Sequence, residues 1–248
     1  MTGAILGHYF SKNNIDTVII GKARIGHGST GITTSLLQYE LDDNAAVLKE
    51  FLRGKDIVRA YELGLTAIDE IEQFANSCDI DFKFKRVDSL LYTTKSLEKK
   101  ELYNEYEFRK ENGFDVQFID EENNPLEFDF AAGVLSKNGG AVIDPYLFTH
   151  SLLEESCKHG LRVFENTEAL KINYEKDYVI IETIYGYTVT CKKLIVATGY
   201  NTTLFTKRNF GTKNTTFNIA SQPIQQINDI FCKTVYRDNN DPYTSFRT

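Results

Sequence analysis

The stretch that most constrains this chain is its first twenty-one residues. Gly3-Ala4-Ile5-Leu6-Gly7-His8-Tyr9-Phe10 places apolar pairs at 5/6 and 9/10, about one helical turn apart, and Asn13-Asn14 stops the helix. Ile15-Asp16-Thr17-Val18-Ile19-Ile20-Gly21 is then a short β-prone run. A helix feeding a buried strand is the second and third part of a βαβ unit. Met1-Thr2-Gly3 at the helix start has the form of the end of a G-x-G-x-x-G dinucleotide fingerprint. The strand and the two glycines that complete the fingerprint are expected upstream of Met1.

Composition narrows the partners. With 248 residues there is enough chain for one large or two small domains. A net charge of -7, with lysines and acids interspersed as in Glu98-Lys99-Lys100-Glu101, argues against nucleic acid, whose phosphates require a basic surface. No apolar run approaches the roughly 20 residues of a transmembrane helix. The N-terminal residues lack the charged-then-apolar layout of a signal peptide. Cys78, Cys157, Cys191 and Cys232 are scattered without a C-x-x-C pair, so reduced thiols and a cytoplasmic location are expected. Cys157 and Cys191 are read as inert core thiols. His8, His27, His150 and His159 show no metal-ligand spacing, and no metal is expected.

Further along, residues from about 44 to 77 read as helical, with Leu48, Phe51 and Leu52 on one apolar stripe. Phe82 to Lys85 and Ser89 to Thr94 read as two strands. The heavily charged 96–112 region suits a surface helix ending at Gly113. An extended stretch from Phe128 to Val142 leads to Asp144-Pro145, a helix cap and first helical position, with the helix stopping at Gly160. Strands follow at about 169–174, 178–183 and 187–191. Lys193-Leu194-Ile195-Val196-Ala197-Thr198-Gly199 lacks alternation, as expected of a strand buried on both faces of a parallel sheet.

Four places can hold a ligand. The helix start at Gly3 presents free N–H groups and partial positive charge to a pyrophosphate, although Thr-Gly-Ala before a helix also occurs widely in α/β proteins. Gly26-His27-Gly28-Ser29-Thr30-Gly31 permits close backbone approach to a phosphate or ring, and is equally a plain flexible loop. Ala197-Thr198-Gly199 ends a strand at the edge where open α/β sheets bind ligands, or is a simple glycine turn. Tyr243 and Arg247 can share one side of a strand and bind a substrate carboxylate, or be an ordinary surface pair.

Taken in order, Thr2-Gly3-Ala4, Thr17-Val18-Ile19-Ile20, Ile25-Gly26-His27-Gly28-Ser29-Thr30 and Ser35-Leu36-Leu37-Gln38-Tyr39-Glu40 resemble the FAD-dependent oxidoreductases of the D-amino-acid oxidase (DAO) family. So do Gly140-Ala141-Val142-Ile143-Asp144-Pro145-Tyr146, the three-strand run, Val196-Ala197-Thr198-Gly199-Tyr200, and the segment from Tyr236 to Arg247. The resemblance runs essentially from residue 1 to 248.

It implies an α/β fold: an FAD-binding Rossmann-like domain of the glutathione-reductase type, with a parallel sheet and three-strand β-meander. An α+β antiparallel-sheet substrate domain interrupts it. Residues 1–80 and 140–210 would form the FAD part, and 81–139 and 211–248 the substrate part. The resemblance places Gly3 at the pyrophosphate, with Lys22, Ala23 and Arg24 near the adenosine. Gly28, Ser29 and Thr30 would approach the pyrophosphate and ribityl chain, and Leu37 and Gln38 the flavin. Ala169 would meet the adenine, while Ala197, Thr198 and Gly199 line the cofactor. An amine, amino acid or 2-hydroxy acid would be oxidised by hydride transfer to flavin. No catalytic residue is assigned.

The sequence departs from the family in three ways. The first strand is expected before Met1, and the C-terminal glycine-rich segment after Thr248. Gly21 stands where an acidic residue normally meets the adenosine ribose. These departures predict that the chain as given holds FAD poorly. They leave a non-catalytic remnant as an alternative. An NAD(P)-dependent Rossmann dehydrogenase is a further alternative, less compatible with the meander and the Gly28-Ser29-Thr30 loop.

Overall fold

The computed structural model describes residues 1–126, 128–201, 205–206, 208, 215–224 and 227–248. The chain forms two compact units, Met1–Thr33 with Pro145–Ile219 and Thr34–Asp144 with Ala220–Thr248. The first opens with α1 (Thr2–Lys12) and β1 (Val18–Ile20). The second contains β2 (Leu36–Gln38), α2 (Ala45–Leu48), α3 (Gly54–Ala75), β3 (Lys85–Thr93), α4 (Lys99–Glu111), β4 (Val116–Asp120) and β5 (Ala132–Val142). The chain returns to the first unit for α5 (Pro145–Lys158), β6 (Arg162–Phe164), β7 (Ala169–Tyr174), β8 (Val179–Thr183) and β9 (Thr188–Cys191). It re-enters the second with α6 (Asp229–Cys232), β10 (Thr234–Asp238) and β11 (Ser245–Phe246).

In the first unit, β1 pairs in parallel with β6, Val18 opposite Arg162 and Ile20 opposite Phe164. The sequence reading passed over β6, because three residues are too few to show a period. Gly7 carries no Cβ where one would lie 2.8 Å from Ile19 Cδ1, so α1 packs closely on β1. The meander forms as expected, in the order β7-β8-β9, with Val179, Ile181 and Thr183 of the middle strand buried. The expected buried strand at 193–199 does not form. Ile195 is 51% and Val196 40% exposed. An apolar run becomes a strand only when a neighbour completes its hydrogen bonds, and no described strand pairs with this one.

The second unit is a mixed sheet in the order β11-β10-β3-β5-β2, with β4 also pairing with β5. Residues 44–77 are two helices rather than one stretch. The chain breaks before Gly54, a poor helix interior, and Phe51 and Leu52 are exposed, not part of an apolar stripe. The two expected strands between 82 and 94 are one, β3. Its polar Asp88 sits at a register shift between Val87 and Ser89, where its carboxylate accepts from Asn138 N and Lys137 Nζ. On α3, Ile57, Tyr61 and Ile68 face the core with Tyr39, Ala45 and Ala141. A second cluster joins Leu90, Ile119, Phe130, Leu135 and Tyr236.

The charged helix α4 is not simply a surface helix. Leu102, Glu105 and Arg109, spaced three and four apart on one face, are all buried. Arg109 Nη1 lies 2.9 Å from Glu40 Oε1, and its Nε 2.7 Å from Glu105 Oε1. These side chains are 0%, 2% and 1% exposed respectively. Glu105 also accepts from Ala45 N at 2.7 Å and Tyr61 Oη at 3.2 Å, which ties α2 and α3 to α4. Burial, then the nearby Glu105 carboxylate, pushes the Tyr61 phenol up, so it stays a donor. Removing the guanidinium strands two carboxylates in a dry interior. Arg109→Met is therefore expected to cost about 3–5 kcal/mol of stability, read by urea unfolding. A loss under about 1 kcal/mol would show that the network does not hold the unit together.

Candidate functional site

In the first unit, three segments that are distant in sequence meet at the start of α1. The helix has no side-chain cap, so its first-turn N–H groups are available to an acceptor. A Cβ on Gly3 would stand 3.7 Å from Ala197 Cβ, which places the residue 197 backbone beside the helix start. Thr30 Oγ1 accepts from Met1 N at 3.2 Å. Gly3, Thr30 and Ala197 are thus brought together.

The loop between β1 and the second unit is shaped by its glycines. Gly26 has φ +79°, and a Cβ there would fall 2.5 Å from the Tyr146 ring. Gly28 differs: a Cβ would meet nothing within 4 Å. Ser29 begins a 3₁₀ turn that runs to Ile32. Gly26 is therefore a packing residue, whereas Gly28 and Ser29 present an open, exposed surface beside Thr30.

At the other end of this edge, the chain after β1 is laced to the chain after β6. Gly21 N donates to Phe164 O at 2.9 Å, Thr167 N to Gly21 O at 2.6 Å and Asn166 N to Ala23 O at 3.5 Å. Lys22 Nζ pairs with Glu168 Oε1 at 2.8 Å, and Ile25 N donates to Glu165 Oε1 at 2.7 Å. Lys22, Ala23 and Arg24 thus lie beside the segment that leads into Ala169, the first residue of β7. Glu165 and Glu168 escaped the sequence reading. The signal for them was their place just beyond a strand parallel to β1, which was itself unseen. Gly21 has no positive φ and 3.4 Å of clearance to Ala23 O, so nothing in the backbone demands glycine there.

The remaining candidates fall elsewhere. Thr198 Oγ1 donates to Asn201 O at 2.6 Å, and Gly199 takes φ +60° in a turn. Leu37 and Gln38 are on β2 of the second unit, where Gln38 Nε2 donates to Ser89 Oγ at 2.9 Å. The strand expected to carry Tyr243 and Arg247 contracts to Ser245–Phe246, leaving both residues outside it. Asp238 Oδ1 accepts from Asn240 N and Thr244 N and so shapes the preceding turn. Tyr243 packs with its ring 5.6 Å from the Arg237 guanidinium, and Arg247 Nε donates to Thr34 O at 2.7 Å. Each therefore has its own partner.

None of the four cysteines forms a disulfide, and Cys157 is exposed rather than a core thiol, because its position on α5 faces outward. Cys191 is half-buried, and burial pushes its thiol up. Among the described residues, no group of three or more His, Cys, Asp or Glu is placed to hold a metal ion. Nor is any helix among them long and apolar enough to cross a membrane.

The two loop glycines should separate in stability measurements. Gly26→Ala forces an L-residue into left-handed backbone against Tyr146 and is expected to cost at least about 1–2 kcal/mol. Gly28→Ala should stay within about 0.5 kcal/mol. Equal thermal shifts for the two variants would contradict this division of roles.

The profile of the family described as FAD dependent oxidoreductase (DAO) matches residues 1–238. The glycerol 3-phosphate dehydrogenase of Caloramator mitchellensis is 26% identical over 204 residues, covering 80% of this chain and 38% of that protein. YhfW of Bacillus subtilis (strain 168) is 27% identical over 175 residues, covering 69% and 33%. The chain therefore spans between 33% and 38% of the length of these curated relatives. Among solved structures, glycine oxidase from Geobacillus kaustophilus superposes with a TM-score of 0.63 at 18% identity, covering 77% of this chain and 50% of that one. L-alpha-glycerophosphate oxidase from Mycoplasma pneumoniae, with FAD bound, gives 0.56 at 15% identity over 73% and 47%. At these identities the structures speak to the fold, which is mixed α/β with the parallel pair, meander and mixed sheet described above. Matched over nearly its whole length by that profile, the chain belongs to the FAD dependent oxidoreductase (DAO) family.

Proposed function

We propose that this chain carries the dinucleotide-binding edge and part of the substrate portion of a flavoenzyme that oxidises an amine, amino acid or 2-hydroxy acid. The observation that carries this reading is the meeting of Gly3, Thr30 and Ala197 at the uncapped start of α1. FAD is the cofactor that family membership implies. The residues present fit its diphosphate half. A helix start without a side-chain cap suits a pyrophosphate, and the open backbone at Gly28 suits close approach of a ligand. Gly3, Gly28, Ser29 and Thr30 would hold the pyrophosphate, Lys22 to Arg24 and Ala169 the adenosine, and Ala197 to Gly199 the wall beside them.

When bound, the flavin accepts the hydride; the protein binds, orients and dehydrates what it oxidises. The neighbours support a small-molecule substrate. Solved structures of similar fold include a glycine oxidase, an L-proline dehydrogenase and a glycerophosphate oxidase. The first compact unit would serve the cofactor and the mixed sheet of the second the substrate.

Gly21 weakens this site and favours a second reading, in which the fold persists without a tight cofactor. The missing charge-assisted hydrogen bond to a ribose is worth about 1.5–3 kcal/mol, or roughly ten- to hundredfold in affinity. FAD titration by flavin fluorescence tests both readings. Wild type is expected to bind weakly, and Gly21→Glu to tighten binding about tenfold or more. Equal affinities in the two proteins would sink the placement of adenosine beside β1. Absence of binding in both would sink the FAD reading and leave the second.

A further inference from the structure

His8 lies on the face of α1 that packs against α5, and only 7% of it is exposed. Its Nδ1 is 3.2 Å from Oγ of Ser156, which has no exposed surface. Ser156 spends its one proton on the carbonyl of Leu152, one turn back along α5. Towards His8 the hydroxyl can then only accept, so Nδ1 carries the hydrogen of the neutral ring. Nε2 is the unprotonated nitrogen, and uptake of acid falls on it, inside a packed helix pair. The surroundings are poorly suited to that second proton. Lys12 follows one turn later on α1, and His159 acts on the ring from just beyond α5. Glu155 offsets them, but it already answers Lys158 Nζ at 3.0 Å and His159 Nε2 at 3.4 Å. β1, also packed on α1, brings only the uncharged Val18, Ile19 and Ile20.

We propose that His8 is an acid-sensitive latch between α1 and α5. Neutral, it ties the two helices together; protonated, it puts a charge into their interface and loosens the first unit. Burial foremost, then Lys12, hold the imidazole below its ordinary value of about 6.5, while Glu155 pulls the other way. Once unfolded, the same ring takes up its proton near 6.5. The unit therefore has its full stability above about pH 6.5 and loses it as the pH falls towards the lower value of the folded ring. The start of α1 also carries Gly3, so acid reaches the meeting of Gly3, Thr30 and Ala197 through the helix that positions it. The latch does not depend on which ligand that helix start serves.

His8→Asn separates the latch from the fold. The asparagine amide keeps a donor in place of Nδ1–H, has a helix propensity close to that of histidine, and does not titrate. Amide hydrogen exchange of the full 248-residue chain is followed at about pH 7.5 and about pH 5.5, either side of the histidine range, and corrected for the intrinsic pH dependence of exchange. In wild type the amides of α1 and α5 are expected to exchange several-fold faster at the lower pH, with α3 and α4 of the second unit unchanged. In His8→Asn that acceleration is lost. His150→Gln, on the same helix α5, is the control and keeps it. A titration of the His8 ring signals in wild type by NMR needs no variant. It is expected to show Nδ1 protonated at neutral pH and uptake of the second proton below about 6.5. Absence of acceleration in wild type, or equal acceleration in His8→Asn, overturns the inference. So does its loss in His150→Gln. A wild-type ring that carries its proton on Nε2, or titrates at or above about 6.5, overturns it even if His8→Asn fails to fold.

Discussion

A single guanidinium shared by two carboxylates organises the second unit. Arg109 has no exposed surface, and its charge is answered by Glu40 after β2 and Glu105 one turn away on α4. Taking three charges out of water is expensive, and only their mutual attraction and the surrounding hydroxyls offset that cost. Tyr39 just after β2, Tyr61 on α3 and Ser136 on β5 supply those hydroxyls, so the arrangement has little freedom to slip. Apolar packing could hold these elements together at less expense, but it would not dictate the direction of every hydrogen bond leading out to β2.

The first unit rests on a different constraint, the short parallel pairing of β1 with β6. Three residue pairs and the hydrogen bonds just beyond them place the ends of both strands side by side. Their loops then share one edge, where Glu165 and Glu168 just beyond β6 meet Ile25 N and Lys22 beyond β1.

Much of this was legible in the residues. The period of α1, the Pro145 start of α5 and the alternation of the meander are local signals, and each appears within a residue or two of its expected place. The loop and Ala197 candidates could be named because a glycine-rich loop after β1 and small residues at the end of an apolar run are themselves local signals. What was not legible depends on partners. The run at 193–198 is apolar enough for a strand, yet strand formation needs a second backbone. On α4, composition shows many charges and cannot say which ones turn inward; only the burial of Leu102 marks the face that Glu105 and Arg109 share. Gln38 was named through resemblance, but its bond to Ser89 emerges only in the structure.

The unpaired run after the meander has a consequence for how the protein behaves in bulk. Leu194-Ile195-Val196 is apolar and uncharged, with β-branched Ile195 and Val196, is followed by Ala197-Thr198, and pairs with no strand among the described residues. Such a segment is a template for pairing with any other extended chain, including another molecule of the same protein. The exposed Lys192 and Lys193 immediately before it repel a like strand approaching in register, as gatekeeper charges do. These two lysines oppose such pairing, and their effect should weaken as added salt screens them.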